Sequence, residues 1–176
     1  EEFATQTGTA TENLDDLHAL LAQVDWNTGT ADRGAKVFQT RQCSQCHNSR
    51  TALGPDLSGA AGRFSRDDLF TAIALPNKDV SPRYQATSII TKDGQVHSGM
   101  IVYESVDGLV LRNATNQTLR IETEEIETKN TLNTSLMPAG LLKDLKPADL
   151  ADLYAYLRSI GSQTQTAKTQ ETSAAE

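Results

Sequence analysis

"RQCSQCHNSR", residues 41–50, holds both cysteines of the 176-residue chain and one of its three histidines. Two thiols three positions apart, with an imidazole directly after the second, suit a zinc half-site, a redox dithiol or a haem attachment point. The surroundings separate these readings. A structural zinc site takes four ligands, usually as two close pairs; there is no second cysteine pair, and His18 and His97 lie in unrelated stretches. A thioredoxin-like dithiol opens a helix that follows a strand within a βαβ pattern. Here the helical run "ADRGAKVFQT" precedes the motif, and no parallel-sheet pattern is present. Haem c uses every part of CxxCH, since Cys43 and Cys46 form two thioethers to the macrocycle and His47 ligates the iron.

A second axial ligand is then needed for a low-spin haem, and methionine in that place raises the potential. The chain has two methionines. Met100 lies in the alternating run "QVHSGMIVYES", where a flexible thioether reads as a core filler. Met137 lies in "TSLMPAGLL", an irregular stretch stiffened by Pro138, and is the expected sixth ligand. Arg63, in "AAGRF" shortly after the motif, is a candidate donor to a haem propionate as well as an ordinary surface arginine. His18 and His97 read as solvated or structural, and Tyr84 as either a donor near the haem or the first residue of a strand.

The chain around these residues divides into segments. Residues 1–12 are Thr-, Gln- and Glu-rich and are expected to be disordered. "NLDDLHALLAQV" sets Leu14, Leu17, Leu20, Leu21 and Val24 on one helical stripe behind Asn13 as N-cap, so residues 13–29 read as a short helix and linker. Thr30 and Ser65 are expected to cap the helices "ADRGAKVFQT" and "SRDDLFTAIA", the latter ending before Pro76. "NSRTALGPDLSGAAG" reads as an ordered loop. From about residue 84 to 130, β-branched and apolar residues alternate between turn dipeptides, Asp93-Gly94 and Asp107-Gly108 among them. Four or five short strands there predict a compact antiparallel sheet or a small barrel. Helices are predicted again in "AGLLKDL" and "PADLADLYAYLRSI", with Pro147 in a first turn. Residues 161–176 read as a disordered polar tail.

Charge narrows the function classes. Residues 1–30 carry six acidic side chains and no Lys or Arg, against seven basic and five acidic in residues 31–82. Residues 83–140 carry seven acidic and five basic. No clustered basic face or aromatic ladder is available for phosphates and stacked bases, so no nucleic-acid partner is expected. No apolar window is long enough to span a bilayer. The opening "EEFATQTGTATEN" has no signal-peptide pattern, which reads as a mature chain without its export signal or an excised piece. No nucleophile–base pair, carboxylate pair or phosphate-cradling loop is present, so the chain is not expected to be an enzyme.

"GAKVFQTRQCSQCH", then "LGPDLSG", "SLMPAGLL" and a closing "LADLYAYLRSI" resemble the class I cytochrome c fold. In that family a glycine and an aromatic on the first helix meet the last helix closely; Gly34, Phe38 and Tyr156 match those positions. The resemblance also implies that Pro55 lends its carbonyl to the proximal imidazole of His47. From "GRFSRDDLFTAIALPNKDVSPRYQATSIITKDGQVHSGMIVYES" through "SLMPAGLLKDLKPADLADLYAYLRSI" the chain is most similar to the haem-binding domain family of planctomycete and verrucomicrobial proteins. Such domains often end large chains resembling propeller-bearing dehydrogenases. The similarity spans roughly residues 30–160. The strand-rich part also looks like an Sm- or SH3-like barrel.

The expected fold class is therefore a mainly α cytochrome c fold with an inserted small antiparallel β-sheet or Sm/SH3-like barrel, α+β as a whole. The expected cofactor is one haem c, covalent through Cys43 and Cys46, with His47 and Met137 on the iron. The resemblance implies outer-sphere electron transfer, a redox partner protein such as a dehydrogenase or an oxidase, and a periplasmic or otherwise exported bacterial location. Two alternatives keep the haem: a gas- or peroxide-binding sensor or weak peroxidase with a labile Met137, and an electron-accepting module of a larger dehydrogenase. A third reads the barrel itself as a non-catalytic interaction surface.

Overall fold

A computed structural model describes residues 14–47 and 53–173, with residues 161–173 as backbone. The expected disordered stretch 1–12 and the Asn13 cap lie outside the described residues. The rest forms two compact units. One is built from the chain up to Cys43, Leu57–Leu75, and the chain from Ala139 on; the other from Ser44–Asp56 and Pro76–Pro138.

The first unit is helical: α1 (Leu14–Leu21), α2 (Ala31–Thr40), α4 (Ala60–Arg63), α5 (Arg66–Ala74) and α6 (Pro147–Ser173), while the single turn α3 (Cys43–Cys46) follows α2. The apolar stripe of α1 behaves as its spacing demands: Leu17 and Leu21 are buried with Val24, and Leu20 packs beside them. They meet Phe38 of α2, Phe70 and Ala74 of α5, and Leu150, Ala151, Leu153 and Leu157 of α6. Full burial of a side chain such as Phe70 contributes about 2 kcal/mol. Trp26 stacks at the edge of this core against Phe70 and Tyr154, with ring centroids 5.5 and 5.6 Å away, and the Arg66 guanidinium lies 4.3 Å over its ring.

The crossing of α2 and α6 leaves no space. A Cβ on Gly34 would overlap the Asp152 carbonyl and stand 2.7 Å from the Tyr156 Cβ, so only glycine lets the backbones approach this closely. Phe38 and Tyr156 fill the flank, their ring centroids 5.1 Å apart. Gly29 meets the Ala151 carbonyl just as tightly. At the same junction the buried Asp152 carboxylate accepts from the Thr30 N–H at 2.7 Å and from Arg33 Nε and Nη2 at 2.7 and 2.8 Å. Thr30 occupies the N-cap position of α2, but its side chain makes no capping bond; Asp152 satisfies its backbone donor instead. Ser65 caps α5 through its side chain, accepting from the Asp68 N–H at 3.1 Å.

Two helical expectations need revision. "AGLLKDL" forms turns rather than a helix. Asp144 adopts a left-handed conformation with φ of +62° and Pro147 follows shortly, which leaves too few residues for a helix to propagate. Beyond Gly161, where the sequence suggests a tail without structure, the helical backbone of α6 continues to Ser173. That stretch contains no proline, and Gln163, Gln165, Ala167, Lys168, Gln170 and Glu171 favour extending a helix already nucleated, against the weaker Gly, Ser and Thr between them.

The second unit holds five antiparallel strands, β1 (Gln85–Thr91), β2 (Val96–Glu104), β3 (Gly108–Arg112), β4 (Thr118–Glu122) and β5 (Ile126–Ser135), in the order β4-β3-β2-β1-β5. Tyr84 is not the first strand residue; it ends a 3-10 turn over Pro82–Tyr84. The strand-rich stretch runs past residue 130 to Ser135, where the polar sequence "KNTLNTS" gives a weak strand signal but finds a partner in β1.

The sheet is coiled back on itself. Lys129, Ile89 and His97 share one row across β5, β1 and β2, and Glu104 lies seven residues further along β2. On a flat sheet that is about 23 Å along the strand and about 10 Å across. Yet Lys129 Nζ and Glu104 Oε1 are ion-paired at 2.5 Å. The coiling lets Ile89, Leu109, Leu111 and Ile121 close into one apolar core, with Ile101 and Ile126 packed against it. Met100 is buried on β2, outside that cluster.

Candidate haem site

Between α2 and α3 the chain reverses at Gln42, whose φ of 59° is left-handed. The turn of α3 then places Cys43 and Cys46 at i and i+3, on one side of a single helical turn, and both thiols are half-buried. Burial pushes the Cys46 thiol above its ordinary value.

His47 follows directly and is held from two sides. Its Nδ1 lies 2.9 Å from the Pro55 carbonyl oxygen. A Cβ on Gly54 would stand 2.8 Å from both Cε1 and Nδ1 of the ring, so the Gly54 backbone lies flush against the imidazole. The Gly54 N–H donates to the Cys46 carbonyl at 3.1 Å, closing this loop onto the end of α3. Burial pulls the imidazole below its ordinary value while the Pro55 carbonyl draws it up. The outcome favours the neutral form, which is the ligating one. With Nδ1–H turned to a carbonyl, Nε2 carries the lone pair, and the tautomer suits a proximal metal ligand.

Met137 is half-buried just past β5, its N–H donating to the Ser135 Oγ at 3.0 Å. Cys46, His47, Pro55 and Met137 all belong to the sheet-bearing unit, whereas Cys43 and Arg63 belong to the helical one. Arg63 is exposed, and its Nη1 donates to the Ser58 carbonyl at 3.1 Å, closing the turn into α4. His18 is exposed and His97 half-buried in β2. Among the described residues, no three His, Cys, Asp or Glu side chains gather as metal donors.

Two thiols on one turn and an imidazole oriented through Nδ1 fit the attachment of a covalently held haem. The family comparison points the same way. The Cytochrome c family model matches residues 31–104. The matched cytochrome c region runs from α2 through the CxxCH turn and α5 to the end of β2, less than half of the chain. It supports a c-type cytochrome, a haem-containing electron-transfer protein, and implies covalently bound haem c, with Cys43 and Cys46 spaced for the attachment. With the five-stranded sheet, the architecture is mixed α+β. Cytochrome c domains are typically exported and usually act with redox partners; no helix among the described residues is long and apolar enough to cross a membrane. No curated protein matches the chain in sequence.

Sequence reasoning missed Gly54, Gly29 and Asp152. Gly54 had a signal in its place directly before the proline of "LGPDLSG"; Asp152 had none, because its partners Thr30 and Arg33 are far away along the chain.

Proposed function

We propose that the chain is a single-haem c-type cytochrome that transfers electrons by an outer-sphere route, with His47 and Met137 as the residues that would ligate the iron. The observation that carries this reading is the fixed imidazole: Nδ1 of His47 at 2.9 Å from the Pro55 carbonyl, with Gly54 against the ring. Haem c, when bound, supplies a one-electron iron couple. Cys43 and Cys46 would hold the macrocycle by thioethers, which would prevent its loss. Pro55 orients the imidazole and raises its basicity. Met137, just past β5 and stiffened behind by Pro138, would be the second ligand to the iron and would raise the potential. Arg63, one of whose five donors is committed to Ser58, is the proposed propionate contact. The coiled sheet, which we read as an Sm- or SH3-like barrel, limits solvent access, a further means of raising the potential.

No side chain is assigned a catalytic step. We place the chain nearest to the haem-binding domain family of planctomycete and verrucomicrobial proteins, in an exported location, with a redox partner protein as donor or acceptor. Replacing Met137 by Ala tests the ligation. Haem stays covalently bound and the reduction potential falls markedly if Met137 is the ligand; an unchanged potential would exclude it.

A further inference from the structure

The approach of the chain to Met137 is built from three separate stretches. The Ser135 N–H, at the last residue of β5, donates to Asn77 Oδ1 at 2.8 Å, across a sequence separation of 58 residues. The Ser135 Oγ in turn accepts from the Met137 N–H at 3.0 Å. A second tie runs beside the first: Gln85 Nε2, on the opening residue of β1, donates to Asn133 Oδ1 at 3.1 Å and to the Val80 carbonyl at 3.3 Å. The segment between α5 and β1, the start of β1 and the end of β5 are thus bound together directly ahead of the methionine. Pro138 fixes the backbone behind it.

We propose that Asn77 and Ser135 are positioning residues that keep Met137 on the haem iron, an inference that rests on the ligation proposed above. A methionine has several rotatable bonds and a weakly donating sulfur, so it holds an iron well only when its backbone is already fixed. The two hydrogen bonds in series supply that constraint. Asn77 sets the end of β5, and the Ser135 hydroxyl sets the Met137 amide. In this role the inserted sheet is the mount of the sixth ligand, and the balance between a closed electron-transfer site and an open, gas-binding one is tuned at Asn77 and Ser135, outside the coordination sphere.

The test uses the full chain with haem attached, as wild type and as Asn77→Ala, Asn77→Asp, Ser135→Ala, Ser135→Thr and Met137→Ala. The readouts are the far-red methionine–iron band of the oxidised protein and the rate of carbon monoxide binding to the reduced protein. Loss of one hydrogen bond shifts the ligand-on equilibrium about fivefold to tenfold. Asn77→Ala and Ser135→Ala are therefore expected to speed carbon monoxide binding by that factor, and to weaken the band by as much as the open form becomes populated, with haem still covalent. Asn77→Asp and Ser135→Thr, which keep the acceptor oxygens, should behave like wild type. Wild-type bands and rates in both alanine variants, with Met137→Ala opening the site, would overturn the positioning role and leave the ligation standing. A Met137→Ala protein with unchanged band and rate would remove the ligation and the positioning role together. If Asn77→Ala does not mature, Ser135→Ala alone decides.

Discussion

The imidazole of His47 depends on a residue that contributes no side chain. The absence of a Cβ at Gly54 allows the ring to lie where Nδ1 meets the Pro55 carbonyl, because a methyl group there would press on the ring atoms that define its orientation. Gly54→Ala is expected to leave the thioethers intact and to turn the ring off the carbonyl. A less basic imidazole stabilises the oxidised iron less, so the potential should rise. Equilibrium redox titration of the variant checks this, and a lower potential would contradict it. The CxxCH pattern was legible in the sequence because its three residues sit together, and the loop proline through the cytochrome c resemblance. Gly54 lies among them, yet its purpose becomes visible only once the loop is folded onto the ring.

Among the elements, the crossing of α2 with α6 binds the helical unit together, and it combines a readable part with a hidden one. Gly34, Phe38 and Tyr156 are legible through the cytochrome c resemblance, as a small residue and two aromatics on helices. The ion pair of Arg33 with Asp152 is not, since an acidic residue in "PADLADLY" reads as one more solvated charge. In the fold Asp152 is buried, and the Arg33 guanidinium holds its carboxyl below the ordinary value of 3.8, aided by the Thr30 N–H against the opposing effect of burial. A carboxyl with a depressed value contributes stability above its unfolded value, and that contribution disappears as pH falls through the folded one. Asp152→Asn should therefore be less stable than wild type near neutrality, by about 2 kcal/mol for a buried charged hydrogen-bond network losing its charge. The gap should begin to narrow below about pH 4, where the unfolded carboxyl protonates, and close only once pH falls below the lowered value of the folded carboxyl. Urea unfolding at a series of pH values measures it; a constant gap would mean that Asp152 does not titrate with folding. The same element scale explains the failed helix "AGLLKDL": its apolar spacing is helical, but a left-handed Asp144 and the nearby Pro147 stop it.

For the whole molecule, alternation and Asp-Gly turns announce strands, but they do not announce coiling. The pairing of Lys129 with Glu104 and the shared core of Ile89 and Ile121 arise from a β2 bent between two partners, with a register irregularity between Ile101 and Tyr103. Such long-range closure leaves no local mark in a sequence. Its consequence for function is that β5 returns beside β1 and delivers the chain straight to Met137. The decisive measurement is the absorption spectrum of the purified protein, matured with haem, in both oxidation states and before and after carbon monoxide. Ligation by His47 and Met137 predicts low-spin spectra, a far-red methionine–iron band when oxidised, and only slow carbon monoxide binding when reduced. A high-spin spectrum or a prompt shift with carbon monoxide would contradict ligation by His47 and Met137, and protein without haem bands would contradict the cytochrome itself.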